Sequence, residues 1–191
     1  MLHNHNQSSQ PIADYSLVID FWFSNHDKWF AKDPQFDLAI TNQFLPLYKE
    51  AAESKLDEWQ KEPLSMLALI IVLDQFPRNM FRDNPMAYDL DKLAVTLTKK
   101  AIKLGFNKEL KGNSNYLKFL YMPLMHSENF NNQKLSLKLF GELADKKTCQ
   151  YARAHYDIIL LFHRFPHRNK ILNRISTRQK IEFLKNLSIS F

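Results

Sequence analysis

Between Pro63 and Phe76 almost every residue is apolar. Leu64, Met66, Leu67, Leu69, Ile70, Ile71, Val72 and Leu73 would cover every face of a helix drawn through the segment. A helix that is hydrophobic all round must be covered on all sides, so it belongs at the centre of a domain. The rest of the chain suits helices too. Only 3 Gly occur in 191 residues, with no Asn-Gly or Asp-Gly pair, which is poor material for hairpins.

Around that centre the spacing predicts further helices. One runs from Tyr15 to Phe23. Another opens at Asp33-Pro34, a capping residue followed by Pro at the first helical position, and carries Phe36, Ala39, Ile40, Phe44, Leu47 and Ala51. Pro46 inside it should kink it, since an interior Pro costs about 3 kcal/mol. Asn84-Pro85 should open the next, with Met86, Leu90, Leu93, Leu97, Ala101 and Leu104 on one stripe and Gly105 as a left-handed cap. Tyr116 to Met125, Leu135 to Leu143 and Tyr151 to Phe162 follow, and Ser176-Thr177-Arg178-Gln179 reads as a capping box for a last helix through Phe183 and Leu187. The expected fold is all-α, about eight helices in stacked antiparallel pairs. Residues 1–12 read as a disordered polar tail and 13–191 as a single helical domain.

Two segments nearly repeat one another. One is Asp74-Gln75-Phe76-Pro77-Arg78-Asn79 with Arg82 and Asn84. The other is His163-Arg164-Phe165-Pro166-His167-Arg168-Asn169 with Arg174 and Ser176. Each reads as an apolar helix stopped by Phe-Pro, and together they hold 5 of the chain's 7 Arg, against 19 Lys spread elsewhere. Arg makes planar, bidentate contacts with carboxylate and phosphate that Lys cannot copy. Asp74 closes the most apolar run and sits at a helix C-terminus, where the macrodipole disfavours an anion. A carboxylate there needs a cation, and Arg78, Arg82, Arg164 and Arg168 are candidates.

Two readings follow. The loops form a structural clamp, or they converge as a pocket for an anionic small molecule or peptide carboxylate, lined by Arg78, Arg82, Arg164, Arg168 and Arg174, with Asn79 and Asn169 orienting the ligand. A third places Asp74, His126, Glu128 and His155 as acids or bases of a hydrolase or transferase acting on an anionic substrate. A fourth is a helical scaffold for protein partners. No HExxH spacing occurs, and Pro166 separates His163 from His167, so neither a metal nor another cofactor is expected. The net charge is +6, but the Lys residues are scattered along amphipathic helices without a basic-aromatic motif, which argues against nucleic acid. The single Cys149, the polar start and the lack of a membrane-length apolar stretch point to the cytoplasm.

Several strings together resemble the bacterial domain of unknown function 924 family. They are Asp20-Phe21-Trp22-Phe23, Trp29-Phe30, Phe36-Asp37, Leu73 to Asn79, Phe81-Arg82, His126-Ser127-Glu128, Tyr151-Ala152 with His155, Arg164 to Asn169, and Ile171-Leu172 with Arg174 and Ser176-Thr177. Thr41-Asn42-Gln43 stands where the family usually has an Arg-bearing stretch, and Met125 where it often has an acidic residue. The resemblance implies an all-helical, tetratricopeptide-repeat-like fold and no established activity.

Overall fold

The apolar segment is the hub. In the computed structural model, which describes residues 14–143 and 145–185, it forms α3 (Pro63–Asp74). Every residue from Ser65 to Asp74 is buried, and α1, α2, α5 and α7 pack around it. The expected tail over residues 1–12 lies outside the described residues.

Helix starts are written locally. Asp14 caps α1 (Tyr15–Ser24) by accepting from the Ser16 N–H at 2.9 Å, and Asp33 caps α2 (Pro34–Ala52) through the N–H groups of Gln35 and Phe36. The α2 helix runs on through Pro46. After α3 comes the short α4 (Phe76–Met80), so the first Phe-Pro does not end a helix but starts one, with Pro77 in a first turn that needs no N–H from it. Asn84 caps only one 3-10 turn, Pro85–Ala87, and α5 (Asp91–Leu104) begins later than the sequence suggests. The short α6 (Phe106–Glu109) follows Gly105 directly.

The remaining helices are α7 (Ser114–His126), α8 (Phe130–Gly141), α9 (Lys146–Phe162) and α10 (Arg178–Lys185). The short α7–α8 and α8–α9 links fold these three helices against one another. No strand occurs among the described residues, and the fold is all-helical. The α9 helix stops at His163, which takes the left-handed conformation at φ 57°, ahead of Phe165-Pro166. The last cap also shifts by one residue. Thr177 Oγ1 accepts from the Lys180 N–H at 3.4 Å, while Ser176 Oγ accepts from Asn169. Leu187, expected in α10, lies outside the described residues.

Phe36, Phe44, Phe76, Phe119 and Trp22 fill the interior beside α3, with ring contacts such as Trp22 on Phe119 at 5.3 Å. A smaller apolar cluster of Ile158, Ile159, Phe162 and Phe165 lies under α9. Gly105 ends α5 at φ 85°, with nothing within 4 Å of where a Cβ would stand. Gly105→Ala should therefore cost only the left-handed backbone penalty, about 1 kcal/mol in urea unfolding. A loss several times larger would mean that the Cβ meets atoms the structure does not place there.

Candidate functional site

Asp74, the last residue of α3, is fully buried, and three side chains attend it. His126, at the end of α7, places Nδ1 at 2.9 Å from both carboxylate oxygens. Gln75 donates through its side-chain amide. Arg78, one turn on, donates to the Asp74 carbonyl, and its guanidinium lies 3.4 Å from the carboxylate. That cation also answers the negative end of α3. Burial pushes the Asp74 carboxyl up, but the Arg78 charge, followed by His126 and Gln75, outweighs it and holds the pKa at about 2.

The twin segments do meet. Arg78 Nη2 donates to Asp91 Oδ1 at 2.8 Å, and Arg168 Nη1 donates to Asp91 Oδ2 at 3.1 Å. Asp91 stands in the first turn of α5, where an acidic residue complements the helix N-terminus. Nothing local distinguishes it there from any other first-turn acid, which is why the sequence reading passed over it. Tyr88 was missed as well. Its ring lies 4.5 Å from the Arg168 guanidinium and 5.8 Å from that of Arg78. The Phe165 ring lies 4.6 Å from Arg168, so that guanidinium has two aromatic rings against it.

Arg168 is 6% exposed, yet only its Nη1 makes a hydrogen bond among the described residues, and its buried Nε has no partner. A guanidinium carries five N–H donors. Most of this one's capacity is unspent.

The other expected residues divide into separate clusters. Arg82 turns away to Asp37 on α2, donating through Nε to one oxygen and through Nη2 to the other at 2.8 Å, and Asn79 joins it at 2.8 Å from the same carboxylate. Asp37 stands in the first turn of α2, where an acid complements the helix N-terminus and no local pattern announces its distant cation. Glu128 receives Arg174 in a two-pronged pair at 2.7 and 2.9 Å and accepts the Phe165 N–H at 2.8 Å. Burial raises the Glu128 carboxyl, and the bonds from Arg174 and Phe165 more than reverse this. Asn169 donates its side-chain N–H to Ser176 at 2.9 Å, and its buried Oδ1 has no hydrogen-bond partner among the described residues. Arg164 is half-buried, with no ion pair or hydrogen bond to the described residues. Among the described residues four of the five Arg side chains thus have carboxylate partners. Arg82 and Arg174 each have a carboxylate of their own and Arg78 shares Asp91 with Arg168, because the first turns of α2 and α5 and the segment after α7 bring these carboxylates in.

Histidines complete the centre. The His155 ring lies 6.4 Å from that of His126 and 5.4 Å from Phe165, and His167 lies 5.5 Å from the other side of the loop's Phe165 ring. His155 Nδ1 is 2.8 Å from the Tyr151 carbonyl and so carries the proton that bonds to it. Burial, then the neighbouring His126, lowers its pKa to about 3, while burial and Arg168 lower that of His167 to about 4. Burial and Arg78 also lower His126. All three imidazoles are neutral at pH 7. No group of three or more His, Cys, Asp or Glu able to hold a metal occurs among the described residues.

Neutral His126 therefore donates Nδ1–H to ionised Asp74, which leaves the Nε2 lone pair without a hydrogen-bond partner among the described residues. The side chain keeps 15% of its surface open. Chemically, the centre offers a base held in one tautomer and, linked to it through Asp74, Arg78 and Asp91, a guanidinium with donors unused among the described residues.

Cys149, half-buried in the first turns of α9, directs its thiol to the Phe140 carbonyl at 2.7 Å and lies apart from this centre. No described helix is long and apolar enough to cross a membrane.

No curated protein matches the chain. Among solved structures, a protein of unknown function from Agrobacterium tumefaciens, ATU0120, is similar. It is 34% identical, with a TM-score of 0.86 over 91% of this chain and 97% of that one. Residues 18–187 match the model of a bacterial protein family of unknown function, DUF924. The span includes α3, both Arg segments and the His126–Glu128 stretch, and the chain belongs to that family.

Proposed function

We propose that the protein binds a small molecule bearing a carboxylate or phosphate, and that it does so in the cytoplasm. The ligand's anionic group sits on the unused edge of Arg168. The observation that carries this reading is a buried guanidinium against two aromatic rings, with one nitrogen bonded and the rest of its donors idle among the described residues. Burying such a group without partners is costly, and a planar anion would meet its geometry. A pure clamp would be complete with Arg78 on Asp91 and has no use for Arg168's remaining donors.

Arg168→Lys keeps the charge and removes the planar fork. In a thermal-shift screen of phosphorylated and carboxylated metabolites, a ligand at 100 times its Kd should add about 2.7 kcal/mol of stability to the parent. The shift should vanish in Arg168→Lys. Equal shifts in both proteins would place the ligand elsewhere and end this reading.

One observation favours a second reading, a helical scaffold in the manner of tetratricopeptide proteins. Between α1 and α2 runs a cavity of about 280 Å³ lined by Leu17, Phe44, Pro46 and Leu47, with Asp14 and Glu50 at its edges. Leu17 there is 55% exposed. This reading expects partner binding that responds to Leu17→Asp and ignores Arg168→Lys.

A further inference from the structure

Beyond binding, we propose that His126 and Asp74 form a general-base dyad that hydrolyses acyl esters, with preference for those whose own carboxylate rests on Arg168. The preference rests on the binding reading above; the dyad stands on separate geometry. Both Asp74 oxygens lie 2.9 Å from His126 Nδ1, and Arg78 and Gln75 hold that carboxylate from its other sides. Asp74 is thereby a positioning residue. It sets the ring orientation and the tautomer, and it stabilises the imidazolium that forms when Nε2 takes a proton. A clamp between α3 and α5 requires only Arg78 and its two carboxylates. It gives no account of an imidazole bonded at Nδ1, free of hydrogen bonds at Nε2 and partly open to solvent.

The step balances without a metal or a redox partner. His126 Nε2 removes a proton from water as the water oxygen bonds to the ester carbonyl carbon. The tetrahedral intermediate then collapses, and the bond to the leaving oxygen breaks. The Nε2 proton passes to that oxygen, so the products are an acid and an alcohol and the imidazole returns to its neutral form. Asp74, Arg78, Asp91, His155 and His167 are the charged and titratable groups that act on this ring. Burial and the Arg78 cation disfavour a further charge on this ring, so the rate should rise with pH below the ordinary histidine range and level off above it.

The test uses the full chain and two esters, phenyl acetate and 4-acetoxybenzoate, which adds a carboxylate. The parent should hydrolyse 4-acetoxybenzoate with the higher kcat/KM, and His126→Gln should lose about 100-fold or more on both esters. Asp74→Asn should lose a similar factor and alter the pH profile, since an amide cannot hold the same tautomer. A parent no faster than His126→Gln on either ester overturns the dyad. Equal parent rates on the two esters, with the loss in His126→Gln retained, sustain the dyad and overturn the Arg168 assignment. Diethyl pyrocarbonate on the unaltered protein gives a check independent of whether the variants fold. His126 should be modified before buried His155, and a protected His126 would remove the open base on which the proposal depends.

Discussion

Replacing Asp74 with alanine should lower the unfolding free energy by about 3–5 kcal/mol, a fall of roughly 10 °C in Tm for a domain of this size. The loss comes from what is left behind. Arg78 remains at the negative end of α3 with half its compensation gone, and His126 loses the acceptor of its Nδ1–H. Removing one partner of a buried pair exposes the full desolvation cost of the other, whereas removing both does not. The double variant Asp74→Leu/Arg78→Met should consequently recover most of the loss, with Asp91 still paired to Arg168. Arg82→Ala is the comparison. Its side chain is 34% exposed, so its loss should stay near 1 kcal/mol even though its pairing with Asp37 is two-pronged. Urea unfolding of the four proteins decides the matter. If Asp74→Ala falls within 1 kcal/mol of Arg82→Ala, the charge network around Asp74 is not a major element of stability.

Acid should unfold the protein in two stages. His155 and His167 have pKa values of about 3 and about 4 when folded, below the ordinary histidine value near 6.5. A histidine with a depressed folded pKa is neutral in the native state and takes its proton on unfolding. Stability is therefore intact above pH 6.5 and falls as pH drops towards the folded pKa, by about 1.4 kcal/mol per pH unit for each group. His126 shifts in the same direction and adds to the slope. Asp74 contributes in a lower window. Its carboxylate pKa is depressed to about 2, so its contribution is complete above the ordinary carboxylate range near 4 and disappears as pH falls towards 2. Denaturation midpoints measured from pH 7.5 to 4 should fall steadily below 6.5 in the parent. His155→Phe should flatten that slope, because an apolar ring has no proton to gain. A parent with constant stability across this interval would show that the histidines are not held neutral by the fold.

Much of the helical frame is legible residue by residue, for reasons that act over a few bonds. Asp33 caps α2 and Gly105 ends α5 because backbone N–H groups and left-handed φ values make local demands. The same local logic misled where tertiary partners intervene. Asn84-Pro85 has the chemistry of a helix start and does start one turn, but Tyr88 and Asp91 are drawn to Arg78 and Arg168, and α5 begins only at Asp91. The Phe-Pro pair looked like a stop twice. In one copy it opens α4, and in the other the chain has already turned at His163.

What the sequence determined by itself is the class of fold and its centre, because fourteen residues without a polar face admit only a surrounded helix. It also marked Asp74 as a carboxylate that needs a cation. What only the tertiary structure decided is which charge answers which. Arg82 meets Asp37 across 45 residues of chain, Arg174 meets Glu128 across 46, and Arg168 meets Asp91 across 77. Pairings at such separations are chosen by how helices stack, and an acid in the first turn of a helix looks the same from sequence whether or not a distant guanidinium will reach it. Among the described residues the stacking leaves Arg168 with donors unused and His126 Nε2 without a hydrogen-bond partner. Those two vacancies, which no local pattern announces, are where the chemistry of this fold is to be sought.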